Sequence, residues 1–175
     1  MDLMSSSETV SRSDLVMQAQ KAMQAGQFAD AAKHAGALLD ANSEDQDGLY
    51  MAAVAARYLN DFVLAQSYLQ KLKQVAPDYG RAYQEEGHLL KAQGERAKAI
   101  TAFQAATRCN PALASSWQAQ VELLNAANRP SDAAQAQAQL DRVRRLIWVG
   151  QRRCRGRARL MKTRHFGSGE SCIGY

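Results

Sequence analysis

The chain has 175 residues, 46% of them apolar but only 7% aromatic, with three prolines. It is rich in Ala, Leu, Gln, Lys and Glu, which lose little rotamer freedom in a helix. No alternating β-branched run argues for strands, and no stretch of about 18 apolar residues could span a membrane, so an all-α chain is predicted. The net charge of +5 is unevenly placed: residues 1–141 hold 12 Lys+Arg against 16 Asp+Glu, and residues 142–175 hold 10 against one. Cys109, Cys154 and Cys172 are odd in number and irregularly spaced, which suits a reducing compartment better than a disulfide framework.

Residues 1–11 are polar, carry an acid at position 2, and lack the basic start and apolar core of a secretory leader. They are expected to form a flexible lead-in to a cytoplasmic protein. From residue 12 a unit of 34 residues repeats without a gap over 12–45, 46–79, 80–113 and 114–147. Its fourth position holds Leu15, Leu49, Tyr83 and Trp117, and its eighth holds Ala19, Ala53, Gly87 and Val121. The twentieth is Ala31, Ala65, Ala99 and Ala133, and the twenty-seventh is Leu38, Leu72, Ala106 and Leu140.

Each unit divides at a turn signal into two helical halves: AGQ at 25–27, LND at 59–61, QGE at 93–95 and NRP at 128–130. Gly26 and Gly94 suit a helix end that needs a left-handed backbone, where a Cβ is costly. Ser43 with Gln46 forms a capping-box pattern before the second unit. Pro130 falls in the first turn of the last helix, where its missing N–H costs least. Small residues at the eighth and twentieth positions allow the two helices of a hairpin to approach closely. A single hairpin cannot bury its apolar face, but a stack of four can.

A 34-residue unit with a large residue early, a small eighth residue, Ala at the twentieth and Pro near the end resembles the tetratricopeptide repeat (TPR) family. The third unit is the best copy, with Tyr83, Gly87, Leu90, Ala99, Phe103, Ala106 and Pro111 in place. Ser43 and Arg145 replace the closing proline in the first and fourth units, and Ala35 and Gln137 replace the bulky residue seen as Leu69 and Phe103. The resemblance implies a right-handed TPR superhelix of four helix-turn-helix repeats. It also implies a concave groove lined by positions 2, 5, 9, 12 and 13 of each first helix. Carried onto this chain, those positions include Tyr50, Val54, Arg57, Tyr58, Arg81, Gln84, His88, Lys91, Gln118 and Glu122. They also include Gln20, Met23 and Gln24 of the first unit and Asp47 of the second. The middle of the groove then reads as aromatic and basic, and an acidic peptide or protein segment is the expected partner. A TPR subtype that grips a chaperone's C-terminal carboxylate uses Lys and Asn at positions five and nine. This chain has Val16/Gln20, Tyr50/Val54 and Gln84/His88 there, so chaperone binding is not predicted.

Chemistry-bearing groups are scattered. His34, His88 and His165 have no partner at helical spacing, and no H-E-x-x-H, Cys-x-x-Cys or Gly-rich phosphate loop occurs. Glu85 and Glu86 are adjacent and point in different directions on a helix. Cys109 is expected to be a packing residue at a helix end. No catalytic residue, cofactor or metal is predicted.

After residue 147 the composition changes, with six arginines and Lys162 between 152 and 164. Residues 148–175 are expected to be a basic, disordered tail, for which phosphate contact with nucleic acid or an acidic membrane surface is a secondary reading. The strings PDYGRA…EEGH and NPALASSW resemble the N-terminal TPR region of bacterial TPR–sulfotransferase proteins. That resemblance implies a shortened relative whose catalytic domain, with its PAPS-binding loop, is not in this chain.

Overall fold

The computed structural model describes residues 11–146. Seven helices follow one another: α1 (Arg12–Gln24), α2 (Phe28–Ala41), α3 (Gln46–Tyr58), α4 (Phe62–Val75), α5 (Gly80–Ala92), α6 (Arg96–Cys109) and α7 (Ala114–Ala126). An eighth, α8, covers 130–146. The four helical pairs coincide with the four sequence units. Each helix packs on its neighbours in sequence, and α1 also touches α3 as α3 touches α5. Among the described residues α2, α4 and α6 make no comparable mutual contact. The odd-numbered helices therefore form an inner layer and the even-numbered ones an outer layer.

The hairpin turns repeat in backbone geometry as well as in sequence. Gly26, Asn60, Gly94 and Asn128 all have positive φ (74°, 62°, 80° and 54°) and stand 34 residues apart. At each, the next N–H reaches back to a carbonyl five residues earlier, as in Gln27 to Ala22 and Asp61 to Ala56, both at 2.9 Å. Glu95 to Leu90 (2.9 Å) and Arg129 to Leu124 (3.0 Å) complete the set. This left-handed closure satisfies carbonyls that a helix end leaves orphaned. Glycine takes it freely, and asparagine is among the few side chains that tolerate it.

The helix starts differ in one place from the sequence expectation. Asp45, not Ser43, caps α3, its Oδ1 accepting the Gly48 N–H at 2.9 Å. Asp45 also binds the Arg12 guanidinium, so the cap ties α3 to the start of α1. The Ser43–Gln46 pattern lies two residues too early. Ser11 and Asp61 cap α1 and α4 in the same way.

Close packing within a hairpin is clearest in the third unit. A Cβ on Gly87 would lie 2.7–2.8 Å from three ring atoms of Phe103, so α5 approaches α6 where only glycine leaves room for the ring. Phe103 is fully buried. The fourth-position aromatics tie one repeat to the next. The Tyr83 hydroxyl donates to the Pro77 carbonyl and the Trp117 Nε1–H to the Pro111 carbonyl, each at 2.9 Å. The core is a series of overlapping clusters rather than one mass. Ala19, Leu38 and Met51 join units one and two, Leu49, Leu72 and Leu89 join two and three, and Phe103, Leu124 and Ala136 join three and four. Each buried leucine contributes about 1.5–3 kcal/mol of apolar burial, and that gain exists only where a neighbouring repeat covers it. Cys109 proves solvent-exposed instead of packed, because it ends α6 within the exposed stretch 108–112 that leads to the next repeat.

Candidate protein-binding groove

The inner layer places the sequence-predicted groove residues on α1, α3, α5 and α7, but it divides them into three settings. The first is an open cleft of about 270 Å³ where α1, α3 and α5 meet. Gln20, Met23 and Gln24 form its α1 wall, and Asp47, Tyr50 and Met51 its α3 wall. Tyr79 and Arg81, at the start of α5, close it. The Tyr50 and Tyr79 rings meet edge to face at 5.9 Å, and the Arg81 guanidinium carbon lies 6.0 Å from the Tyr50 centroid. Burial pushes the Tyr50 hydroxyl up to about 12, and the nearby Glu85 adds to the shift. Tyr79 is raised for the same first reason, its burial. Both phenols are neutral donors at physiological pH.

The second setting is a buried electrostatic rung between α3 and α5. Arg57 Nη2 and Nε both lie 3.0 Å from Glu85 Oε2, with the side chains only 16% and 8% exposed. The Arg57 guanidinium also sits 4.3 Å over the Tyr58 ring, and Tyr58 stacks on Phe28 at 4.0 Å with 5° between planes. Both the Phe28 ring and the Arg57 guanidinium thus pack against Tyr58, linking units one and two. Val54 is buried at 4% exposure and offers little surface to a ligand. His88 meets the Phe103 ring edge to face at 5.0 Å. Burial pulls the His88 pKa below its ordinary value despite the opposing charge of Glu85, so the imidazole is neutral at pH 7.

A polar ladder between α5, α7 and α8 makes the third setting. Lys91 Nζ lies 3.1 Å from Glu122 Oε2, and Gln118 Nε2 donates to Glu122 Oε1 at 3.3 Å. Arg144 Nη2 donates to Gln118 Oε1 at 2.6 Å. Hydrogen bonds from Lys91 and Gln118 hold the Glu122 carboxyl below the usual carboxylate range. Gln84 accepts from the Ser116 hydroxyl at 3.3 Å.

The basic groove expected from sequence is therefore largely neutralised. Arg12 is held by Asp45 and Asp47, Arg57 by Glu85 and Lys91 by Glu122. These partners sit 28 to 35 residues apart in sequence, one repeat away, and no local pattern announces them. Two other features were also missed. A larger cleft of about 840 Å³ lies between α6, α7 and α8, lined in part by Gln104, Arg108, Trp117 and Gln139. The α3–α4 turn leaves Leu59 and Val63 half and more exposed, beside Tyr58 at the groove edge. Among the described residues no group of His, Cys, Asp and Glu could hold a metal, and no helix is long and apolar enough to cross a membrane. The arginine run at 152–164, Cys154, His165 and Cys172 lie outside the described residues.

Solved structures share this arrangement of helical pairs. MamA from Desulfovibrio magneticus superposes with a TM-score of 0.65 over 79% of this chain and 78% of that one, at 18% identity. A thermophilic TPR protein of Thermus thermophilus gives 0.66 over 73% and 71%, at 20% identity. The chain has the TPR fold. The first TPR domain of Spaghetti (RPAP3), determined bound to an HSP90 peptide, gives 0.59 over 65% of this chain and 90% of that one, at 18% identity. No family model and no curated protein matches the chain. At these identities the likeness concerns the fold, a TPR superhelix of four repeats, and not the ligand.

Proposed function

We propose that this chain is a protein-interaction module that takes a peptide or a protein segment on the inner layer of its TPR stack. The observation that carries the reading is the cleft at the α1–α3–α5 junction, which presents an edge-to-face tyrosine pair, an arginine and two glutamines to solvent. Tyrosine and arginine recur among residues that dominate binding energy at interfaces. The peptide bound to the RPAP3 domain supports the use of this fold for such ligands. A preference for acidic partners depends on Arg81, because the other groove cations are already paired. The role is non-enzymatic and the setting cytoplasmic.

A pull-down with the wild-type chain, Tyr58→Ala and Arg81→Ala tests this. A partner held by the wild type and released by either variant, with helical circular dichroism unchanged, supports the groove. A partner retained equally by all three moves binding elsewhere.

The strings PDYGRA…EEGH and NPALASSW favour a second reading, in which the chain is the repeat region of a TPR–sulfotransferase protein. PAPS turnover by the purified chain would replace the non-enzymatic role. Attachment to nucleic acid through 152–164 requires salt-dependent DNA binding that disappears when 148–175 is deleted.

A further inference from the structure

We propose that the cleft between α1, α3 and α5 is a subsite for an extended, internal peptide segment that carries an apolar and an acidic side chain separated by one residue. The inference rests on the groove reading above and assigns its ligand a chemistry.

The first support is charge. Arg12, Arg57 and Lys91 each hold a carboxylate, whereas Arg81 forms no ion pair among the described residues and is solvent-exposed. The cleft does contain one acid, Asp47, but Arg12 Nη2 occupies it at 2.8 Å. Arg81 is therefore the cation left for a carboxylate from outside.

Spacing is the second. The Arg81 guanidinium carbon is 6.0 Å from the Tyr50 centroid, and Met23 lines the same cleft. Alternate side chains of an extended strand point the same way and are spaced by roughly 6.6 Å. An apolar side chain resting on Tyr50 and Met23 thus places the second residue along at Arg81.

Backbone recognition is the third. Gln20 and Gln24 lie one turn apart on the α1 wall, about 6 Å along the helix axis. Their amides are donors and acceptors at nearly the repeat of alternate peptide groups in an extended segment. Glutamine at both positions reads main chain, while Tyr50 and Arg81 read side chains.

The test uses the purified full-length chain and fluorescent nine-residue peptide pools, acetylated and amidated to remove terminal charges. The pools fix Leu-x-Glu, Leu-x-Lys or Ser-x-Glu at their centre and randomise the rest. Wild type should bind the Leu-x-Glu pool at least tenfold tighter than either other pool, and Arg81→Glu should shift the preference to Leu-x-Lys. Arg81 is exposed, so the variant keeps its fold, verifiable by circular dichroism. Equal binding of the three pools by the wild type overturns the subsite. So does a preference for Leu-x-Glu that survives Arg81→Glu, as attraction to the arginines at 152–164 would. If peptides bind independently of Arg81 yet are released by Tyr58→Ala, the subsite fails and the groove reading stands. If no pool binds, the subsite fails and the pull-down alone decides the groove.

Discussion

Replacing Gly87 by alanine adds a single methyl where α5 crosses α6. That methyl would sit 2.7–2.8 Å from Cε1, Cδ1 and Cζ of Phe103. Carbon atoms pack best at about 3.5–4.0 Å, so ring and helix must separate by roughly 0.8 Å. Phe103 has no exposed side toward which to move, and overpacking of this kind costs about 1–3 kcal/mol. Against it stands the helix propensity of alanine, about 1 kcal/mol better than glycine in a helix interior. The expected net effect is a loss of about 0–2 kcal/mol.

Gly36 supplies the internal control, since it lies inside α2 with nothing within 4 Å of its added Cβ. Gly36→Ala should stabilise by about 1 kcal/mol, leaving a steric difference of about 1–3 kcal/mol between the two substitutions. Urea unfolding followed by circular dichroism measures both. In a Phe103→Leu background the Gly87→Ala penalty should largely vanish, giving a coupling of the same size. The reasoning is refuted if Gly87→Ala stabilises as much as Gly36→Ala, or if its effect is unchanged when the ring is removed.

Three further predictions concern the groove and its turns. Removing one member of the Arg57–Glu85 pair, as in Glu85→Ala, should cost about 3–5 kcal/mol, because it strands a largely buried guanidinium; a double-mutant cycle with Arg57→Met should recover much of that loss. His88 has a pKa below its unfolded value, so the neutral form favours the native state: stability is complete above the unfolded value near ~6.5 and falls as pH drops through it. His88→Gln should flatten that dependence in urea midpoints measured at pH 7.5 and 5.5. At the turns, Asn60→Ala should cost about 1–2 kcal/mol and Asn60→Gly much less, because φ is +62° there; thermal melts of the pair give the comparison.

The fold was legible because the period of the sequence is the period of the stack. Ala31, Ala65, Ala99 and Ala133 are all buried and recur at one position of every unit, so the spacing of small apolar residues identified the unit. The positive φ of Asn60 and Asn128 was hidden, since asparagine in a polar turn looks like any polar residue until it is aligned with Gly26 and Gly94. The α3 cap was misplaced because Ser43 and Asp45 are both N-capping residue types, and the Gln46 that completes a capping box with Ser43 is already helical. Only the tertiary tie to Arg12 distinguishes them. In the groove, sequence identified which residues share the inner layer but not which of them remain available. Arg57 and Arg81 read alike in sequence. One is enclosed by Glu85 and Tyr58 and the other faces solvent, a difference set by side chains one repeat away.

The overlapping clusters of the core have a consequence for how the molecule comes apart. Each joins neighbouring repeats, so among the described residues a repeat at either edge of the stack shares a cluster on one side and those in the middle on both. Opening is expected to proceed inward from the edges in steps, with backbone amides of α3 to α6 exchanging with solvent last in a hydrogen-exchange measurement. The cleft spans the first edge and this middle region. Its Gln20 and Gln24 wall belongs to the part that frays, and its Tyr50 and Arg81 wall to the part that holds. A ligand bridging both would act as a latch, slowing exchange in α1 and α2 far more than in α5.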